Sequence, residues 1–207
     1  MLCVFDVNET LLDLAAMDPL IGGPELRREW FGLAIHTVLT VTATGGYQDF
    51  AGIAGAAAVE TAARHGHQID LAEVAAGLRS MPAHPDAHEG LAKLREQGHT
   101  LVALTNSPLA TAEAQLQNAG LAPLLDRIFS AEQVGRLKPA PEPYRQVLAA
   151  YPDHKAVMIA AHDWDIAGAQ AAGLETALLA RPGVHPLPGS PAPTYTASTL
   201  PELAELL

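Results

Sequence analysis

The stretch LCVFDVNETLLD, residues 2–13, decides how this chain folds. Leu2–Phe5 is a short apolar run with a β-branched and an aromatic member, which predicts a buried strand. The next residues deliver Asp6 at the strand's C-terminal end, with Asn8 and Thr10 close behind. In open α/β sheets that edge is where ligands bind. A carboxylate there can cap the chain, hold a metal or act as a nucleophile, and its position alone leaves all three open.

Working outward, the segment 14–81 is rich in Ala, Leu, Val and Glu at helical spacing. It predicts helices over 24–41, 50–63 and 71–81, the first opened by Pro24-Glu25 and the third capped by Asp70. Gly45-Gly46 separates the first two, and Pro82 and Pro85 mark a boundary. From Asp86 the pattern alternates. Helices are predicted over 86–97, 110–118, 141–150 and 164–172, and strands over 101–105, 128–130, 156–160 and 176–180. A Pro-rich loop, 182–193, leads to a last helix over 201–207. Alternating strands and helices predict an α/β fold, a Rossmann-like parallel sheet with right-handed crossovers. The core takes residues 1–13 and 82–207. The helices of 14–81 form a cap inserted after the first strand, placed to shield Asp6 from water.

The chain has 207 residues, of which 49% are hydrophobic, enough for a sizeable core. A formal charge of −11 argues against a nucleic-acid partner, because phosphate binding needs clustered Lys and Arg. The single cysteine, Cys3, excludes an intramolecular disulfide and reads as a small buried hydrophobe. The strand starting at residue 2 leaves no room for a signal peptide. No apolar run reaches the eighteen or so residues of a membrane span. These features predict a cytoplasmic protein with a small-molecule substrate and no membrane partner.

Four strand ends bring Asp6, Thr105-Asn106, Lys138 and the segment His162–Asp165 to one edge. Together they fit nucleophilic catalysis. Asp6 would attack an electrophilic centre and form an ester. Lys138 would hold the carboxylate ionised. Thr10, Thr105 and Asn106 would supply hydrogen bonds, and Asp165 would position or deprotonate the water that opens the ester. Each residue also has a plain structural reading: Thr10 a helix cap, Asn106 a turn residue, Lys138 a solvated charge, Asp165 an acid at a helix N-terminus. Their joint placement favours a site.

The motifs FDVNETL, ALTNSP, GRLKPAPEPY and AAHDWDIAGAQAAG stand in this order along nearly the whole chain. They resemble the haloacid dehalogenase superfamily, and within it the type II L-2-haloacid dehalogenases. The resemblance implies that Asp6 is the nucleophile. It also implies that Thr10, Thr105, Asn106, Lys138, Tyr144 and Asp165 occupy functional positions, and it makes a homodimer plausible. Phosphatases of the superfamily carry Asp where this chain has Asn8, and an acidic Mg²⁺ ligand where it has Ala161. Both departures favour carbon–halogen cleavage of a small 2-haloacid without a metal or other cofactor.

Further departures concern the substrate. The resembled dehalogenases place an Arg after a cap-helix Trp to contact the substrate, whereas Trp30 is followed here by Phe31. Arg27 or Arg28, one helical turn earlier, would then hold the substrate anion. His162 stands where the family often has Asn and reads equally as a site donor or as a structural histidine. His65, His67, His84 and His88 are expected to be solvated. Two rivals remain: a Mg²⁺-assisted phosphatase or phosphonate hydrolase, and a catalytically weak relative that only binds a small ligand.

Overall fold

The structure, a computed structural model, describes residues 1–186 and 188–207. The strands are β1 (Leu2–Phe5), β2 (Thr100–Thr105), β3 (Arg127–Ser130), β4 (Ala156–Ala160), β5 (Glu175–Leu179) and β6 (Tyr195–Ala197). The helices are α1 (Asp18–Ile21), α2 (Pro24–Ala43), α3 (Phe50–Arg64), α4 (Leu71–Arg79), α5 (Ala87–Glu96), α6 (Leu109–Asn118), α7 (Pro141–Ala150), α8 (Asp163–Ala171) and α9 (Leu200–Ala204).

β1 is apolar at every position because it is covered on both faces. Leu2 and Val4 pack with Val102, Leu104 and Met158 beneath Tyr144 and Val147 of α7 and Ile166 of α8. Cys3 and Phe5 point the other way, into a layer with Leu91 and Leu94 of α5 and Leu200 and Leu203 of α9. Burial pushes the Cys3 thiol up to about 12, so it is chemically inert.

All neighbouring strands are parallel, in the order β3-β2-β1-β4-β5-β6. The chain runs outward from β1 to β3, then crosses back to β4. β1 and β4 therefore flank the point where the strand order reverses, and a crevice opens there at their C-terminal ends.

Between β1 and β2 lie only helical elements. Trp30, Ala34 and Val38 form the buried stripe of α2, four residues apart. The Trp30 indole N–H donates to the Ala54 carbonyl at 2.8 Å and fixes α2 to α3. Asp70 caps α4 as its sequence suggests, accepting from the Ala72 and Glu73 amides.

The structure departs from the sequence reading in several places, and the last helix, expected over 201–207, ends at Ala204. Residues 14–21, not assigned an element, form a short 3-10 turn capped by Asp13 and then α1. The predicted third helix ends at Arg79 rather than at 81. The sheet gains β6, a three-residue edge strand that follows the Pro-rich loop; Leu187 of that loop lies outside the described residues. Among the described residues no helix is long and apolar enough to cross a membrane.

Candidate active site

Asp6 leaves the end of β1 with each carboxylate oxygen held. Oδ1 accepts from Lys138 Nζ at 2.9 Å, and Oδ2 accepts from the Thr10 hydroxyl at 2.7 Å. Thr10 is fixed in turn, because its oxygen accepts from the Ala161 amide at 2.9 Å, beyond β4. Lys138 is fully buried and spends all three protons, on Asp6, on Asp165 Oδ2 at 2.6 Å and on the Leu104 carbonyl at 2.9 Å. Asn106 clamps the lysine's own backbone: it accepts from the Lys138 amide at 2.7 Å and donates to the Lys138 carbonyl at 3.2 Å. Tyr144 donates to Asp165 Oδ1 at 2.6 Å.

Gly168 lets α8 come this close to the lysine loop. A Cβ there would stand 2.6 Å from Pro139 Cβ and 2.7 Å from the Tyr144 hydroxyl.

Burial alone would raise Asp6, but the Lys138 ammonium and the His162 hydrogen bond overcome it and hold the carboxyl well below its ordinary range. Burial opposes the charge on Lys138 as well, and the Asp165 and Asp6 carboxylates raise it above its usual value. Tyr144 is driven well above its usual value by burial and by Asp165. At neutral pH the cluster is an ionised Asp6 beside a charged Lys138.

A third group approaches Asp6. His162 Nδ1 lies 3.2 Å from Oδ2, and its Nε2 lies 2.9 Å from Glu9 Oε2. Burial disfavours the charged ring, but the hydrogen bonds to Asp6 and Glu9 carry it up to about 10, so the resting imidazole is protonated. Phe31 and Trp164 pack against this ring at centroid distances of 5.6 and 5.1 Å. His162 therefore lies at the Asp6 edge, between Asp6 and Glu9.

Phe31 and Ile35 of α2, Phe50 of α3 and Trp164 roof the carboxylate, and Asn8, Thr105 and Asn106 complete the wall. The cavity over the carboxylate measures about 10 Å³, roughly the room one water needs. Asn8 is locked at both ends of its amide, donating to Ser107 Oγ at 3.3 Å and accepting from Gln115 Nε2 at 3.1 Å. Thr105 Oγ1 accepts from the Ser107 amide at 3.1 Å and keeps its own proton for a ligand.

Other expectations need correction. Arg28 turns to solvent and pairs with Glu25, and Arg27 Nε donates to Asp18 at 2.5 Å. Neither lines the Asp6 pocket. Asp165, read as a group that positions or deprotonates water, has no exposed surface, and both of its oxygens are engaged. Its direct contacts are with Lys138 and Tyr144. His84, expected to be solvated, is half-buried with Nε2 3.1 Å from the Glu9 carbonyl. His65 and His88 do sit at the surface, on Glu29 and on the Ala119 carbonyl.

Glu9 and Arg181 were not singled out from the sequence, and His84 was expected only at the surface. They line a second cavity of about 440 Å³ on the far side of His162, together with Asp13 and Arg27. Arg181 is itself anchored, on Asp86 at 2.7 and 2.8 Å and on the Thr10 carbonyl at 2.9 Å.

Mg²⁺ does not suit the donors present. It wants octahedral oxygen ligands. Position 161 is Ala, the Asn8 amide is spent, and a cationic His162 occupies the flank of Asp6. Among the described residues no group of three or more His, Cys, Asp or Glu side chains is arranged to hold a metal.

Known proteins resemble this geometry and sequence. The family model described as a haloacid dehalogenase-like hydrolase matches residues 1–173. (S)-2-Haloacid dehalogenase 1 of Pseudomonas sp. is 30% identical over 218 aligned positions, covering 99% of this chain and 95% of that protein. The plasmid phosphoglycolate phosphatase of Cupriavidus necator is 33% identical over 125 residues, covering 58% of this chain and 54% of its own length. The chain thus spans about half the length of the phosphatases it matches. Among solved structures, the L-2-haloacid dehalogenase from Xanthobacter autotrophicus with chloropropionic acid covalently bound shares the fold. Its TM-score is 0.91 at 21% identity, over 100% of this chain and 98% of that one.

Proposed function

Because the chain belongs to the haloacid dehalogenase-like hydrolase family, we propose that it cleaves the carbon–halogen bond of a small 2-haloacid through an ester on Asp6. The observation that carries this reading is the state of Asp6. Its carboxylate is ionised, held at both oxygens and roofed by apolar rings in a pocket with almost no free volume. A desolvated, oriented carboxylate is a stronger nucleophile than a hydrated one. Asp6 attacks the carbon that bears the halogen, and the halide leaves. Lys138 is the cation beside the substrate's own carboxylate, and Thr105 donates its free proton to it. Water then opens the ester. The pocket must widen to admit a substrate, and the roof side chains of α2 and α3 are the elements that move.

A Mg²⁺-assisted phosphatase is the second reading, favoured by the relatives of that name. The donor set around Asp6 opposes it.

The test is a single turnover of 2-chloropropionate in heavy-oxygen water. The hydroxyacid formed should carry ordinary oxygen from Asp6, with the label left on the Asp6 side chain. Label entering the product in that turnover would exclude the ester. Asp6→Asn should end turnover and keep the fold. An enzyme silent on 2-haloacids but active on a phosphomonoester with Mg²⁺ would establish the second reading.

A further inference from the structure

Opening an ester needs a base that touches the incoming water. Asp165 is sealed between Tyr144 and Lys138, with both oxygens engaged and none exposed. Lys138 has no lone pair while it is charged. His162 is the remaining basic group in contact with Asp6, and its ring borders both the small pocket and the 440 Å³ cavity.

We infer that His162 takes the proton from the water that opens the Asp6 ester. Glu9 is the positioning residue that fixes the ring by accepting its Nε2 proton. The inference rests on the ester reading above.

The steps balance. An Asp6 oxygen bonds to the halogen-bearing carbon as the carbon–halogen bond breaks, and the halide departs with the electron pair. Asp6 is then neutral, and the imidazolium has lost one of the two carboxylates that stabilised its charge. It yields its Nδ1 proton to water that enters the pocket as the halide leaves, and keeps the Nε2 proton that Glu9 accepts. The Nδ1 lone pair now faces the ester. Water bonds through its oxygen to Asp6 Cγ and gives one proton to Nδ1. The bond from Cγ to the ester oxygen breaks, and that oxygen takes the remaining hydroxyl proton as the hydroxyacid leaves. Asp6 is again a carboxylate and His162 again an imidazolium. One halide, one hydroxyacid and one proton result.

Three further observations support this. The ring cannot rotate out of line, because Phe31 and Trp164 pack against it with interplanar angles of 31° and 21°. Glu9 is anchored by His84 at its carbonyl and approached by Arg27 at 3.6 Å, so its carboxylate stays on Nε2. Glu9 also sits at φ +62°, a region that costs a non-glycine residue about 1–3 kcal/mol and is met most often at functional sites.

The experiment quenches wild type, His162→Asn and Glu9→Gln after mixing with 2-chloropropionate, then measures halide release and intact mass. His162→Asn should release about one halide per enzyme at near the wild-type initial rate. It should then stall with a propionate unit on Asp6, its steady turnover reduced about a hundredfold or more. Glu9→Gln, a half-exposed isostere, should slow the second step about tenfold with KM little changed. Its effect should vanish in the His162→Asn background. A wild type that turns over while His162→Asn loses the first halide release and the second step alike, or accumulates no adduct, overturns the inference alone. Full additivity of the two substitutions overturns the role of Glu9. A wild type that releases no halide at all removes the ester reading, and the inference with it.

Discussion

The two cavities that meet at His162 are opposites. The one over Asp6 holds about 10 Å³, is roofed by Phe31, Ile35, Phe50 and Trp164, and has its charges paired at hydrogen-bond distance. The other holds about 440 Å³ and is lined by charged and titratable groups of both signs, Glu9, Asp13, Arg27, His84 and Arg181. Substitution at carbon favours a dry carboxylate, and hydrolysis needs water and an exit for a proton. In the proposed reaction, one imidazole separates the surroundings that the two steps require.

The strongest way to break the contrast is to unbalance the dry side. Lys138→Met leaves Asp6 and Asp165 without their shared cation. Removing one member of a buried charge cluster costs about 3–5 kcal/mol. The midpoint of urea unfolding should fall accordingly, and halide release should cease. Near-wild-type stability would mean that the cluster does not carry the charges assigned to it.

Next is pH. His162 is raised to about 10 in the fold, against about 6.5 in an unfolded chain. Its stabilisation is complete below the lower value and is lost as pH rises through the upper one. Between them the folded state holds the extra proton, so stability falls by at most about 1.4 kcal/mol per pH unit. The groups that hold the proton are Asp6 and Glu9, with Lys138 on the first and Arg27 near the second. Thermal melts from pH 7 to 10 should show the decline in wild type, and His162→Asn should flatten it. An equal decline in both proteins would reassign the effect.

The two arginines sharpen the comparison from the wet side. Arg27→Ala removes an ion pair that steadies Glu9 and should lower the hydrolytic rate about two- to fivefold. Arg28→Ala should change nothing measurable, because its partner is another surface residue. A larger loss from Arg28 than from Arg27 would contradict the orientation of α2. The smallest effect is expected from prolonged chelation, which should leave activity unchanged. Restoration of lost activity by Mg²⁺ would promote the phosphatase reading.

The case of these arginines shows where sequence stops. Arg27 and Arg28 stand four and three positions before Phe31, and both looked able to reach the same place. Successive residues on a helix differ by about 100°, so one is turned inward and its neighbour outward. Only the packing of Trp30, Ala34 and Val38 decides which. The strands β1, β2, β4 and β5 were legible because each is an apolar run bounded by breakers. β6 was not, since three residues behind a Pro-rich loop carry no period. Asp6, Thr10, Asn106, Lys138 and Tyr144 were legible through their motifs, and the structure brings them into one network. Glu9, His84 and Arg181 lie at remote points of the chain and meet only through tertiary packing. Nothing in FDVNETL announces that Glu9 adopts a left-handed conformation.

That conformation bears on how the chain tolerates change. Gly, or Asn at smaller cost, would occupy position 9 with less strain than Glu does, since the left-handed region penalises a side chain by about 1–2 kcal/mol. Variants selected only for heat resistance should therefore drift at this position toward Gly or Asn. They would melt higher and turn over more slowly. Position 9 is where a stabilising screen and an activity screen on this chain should choose different residues.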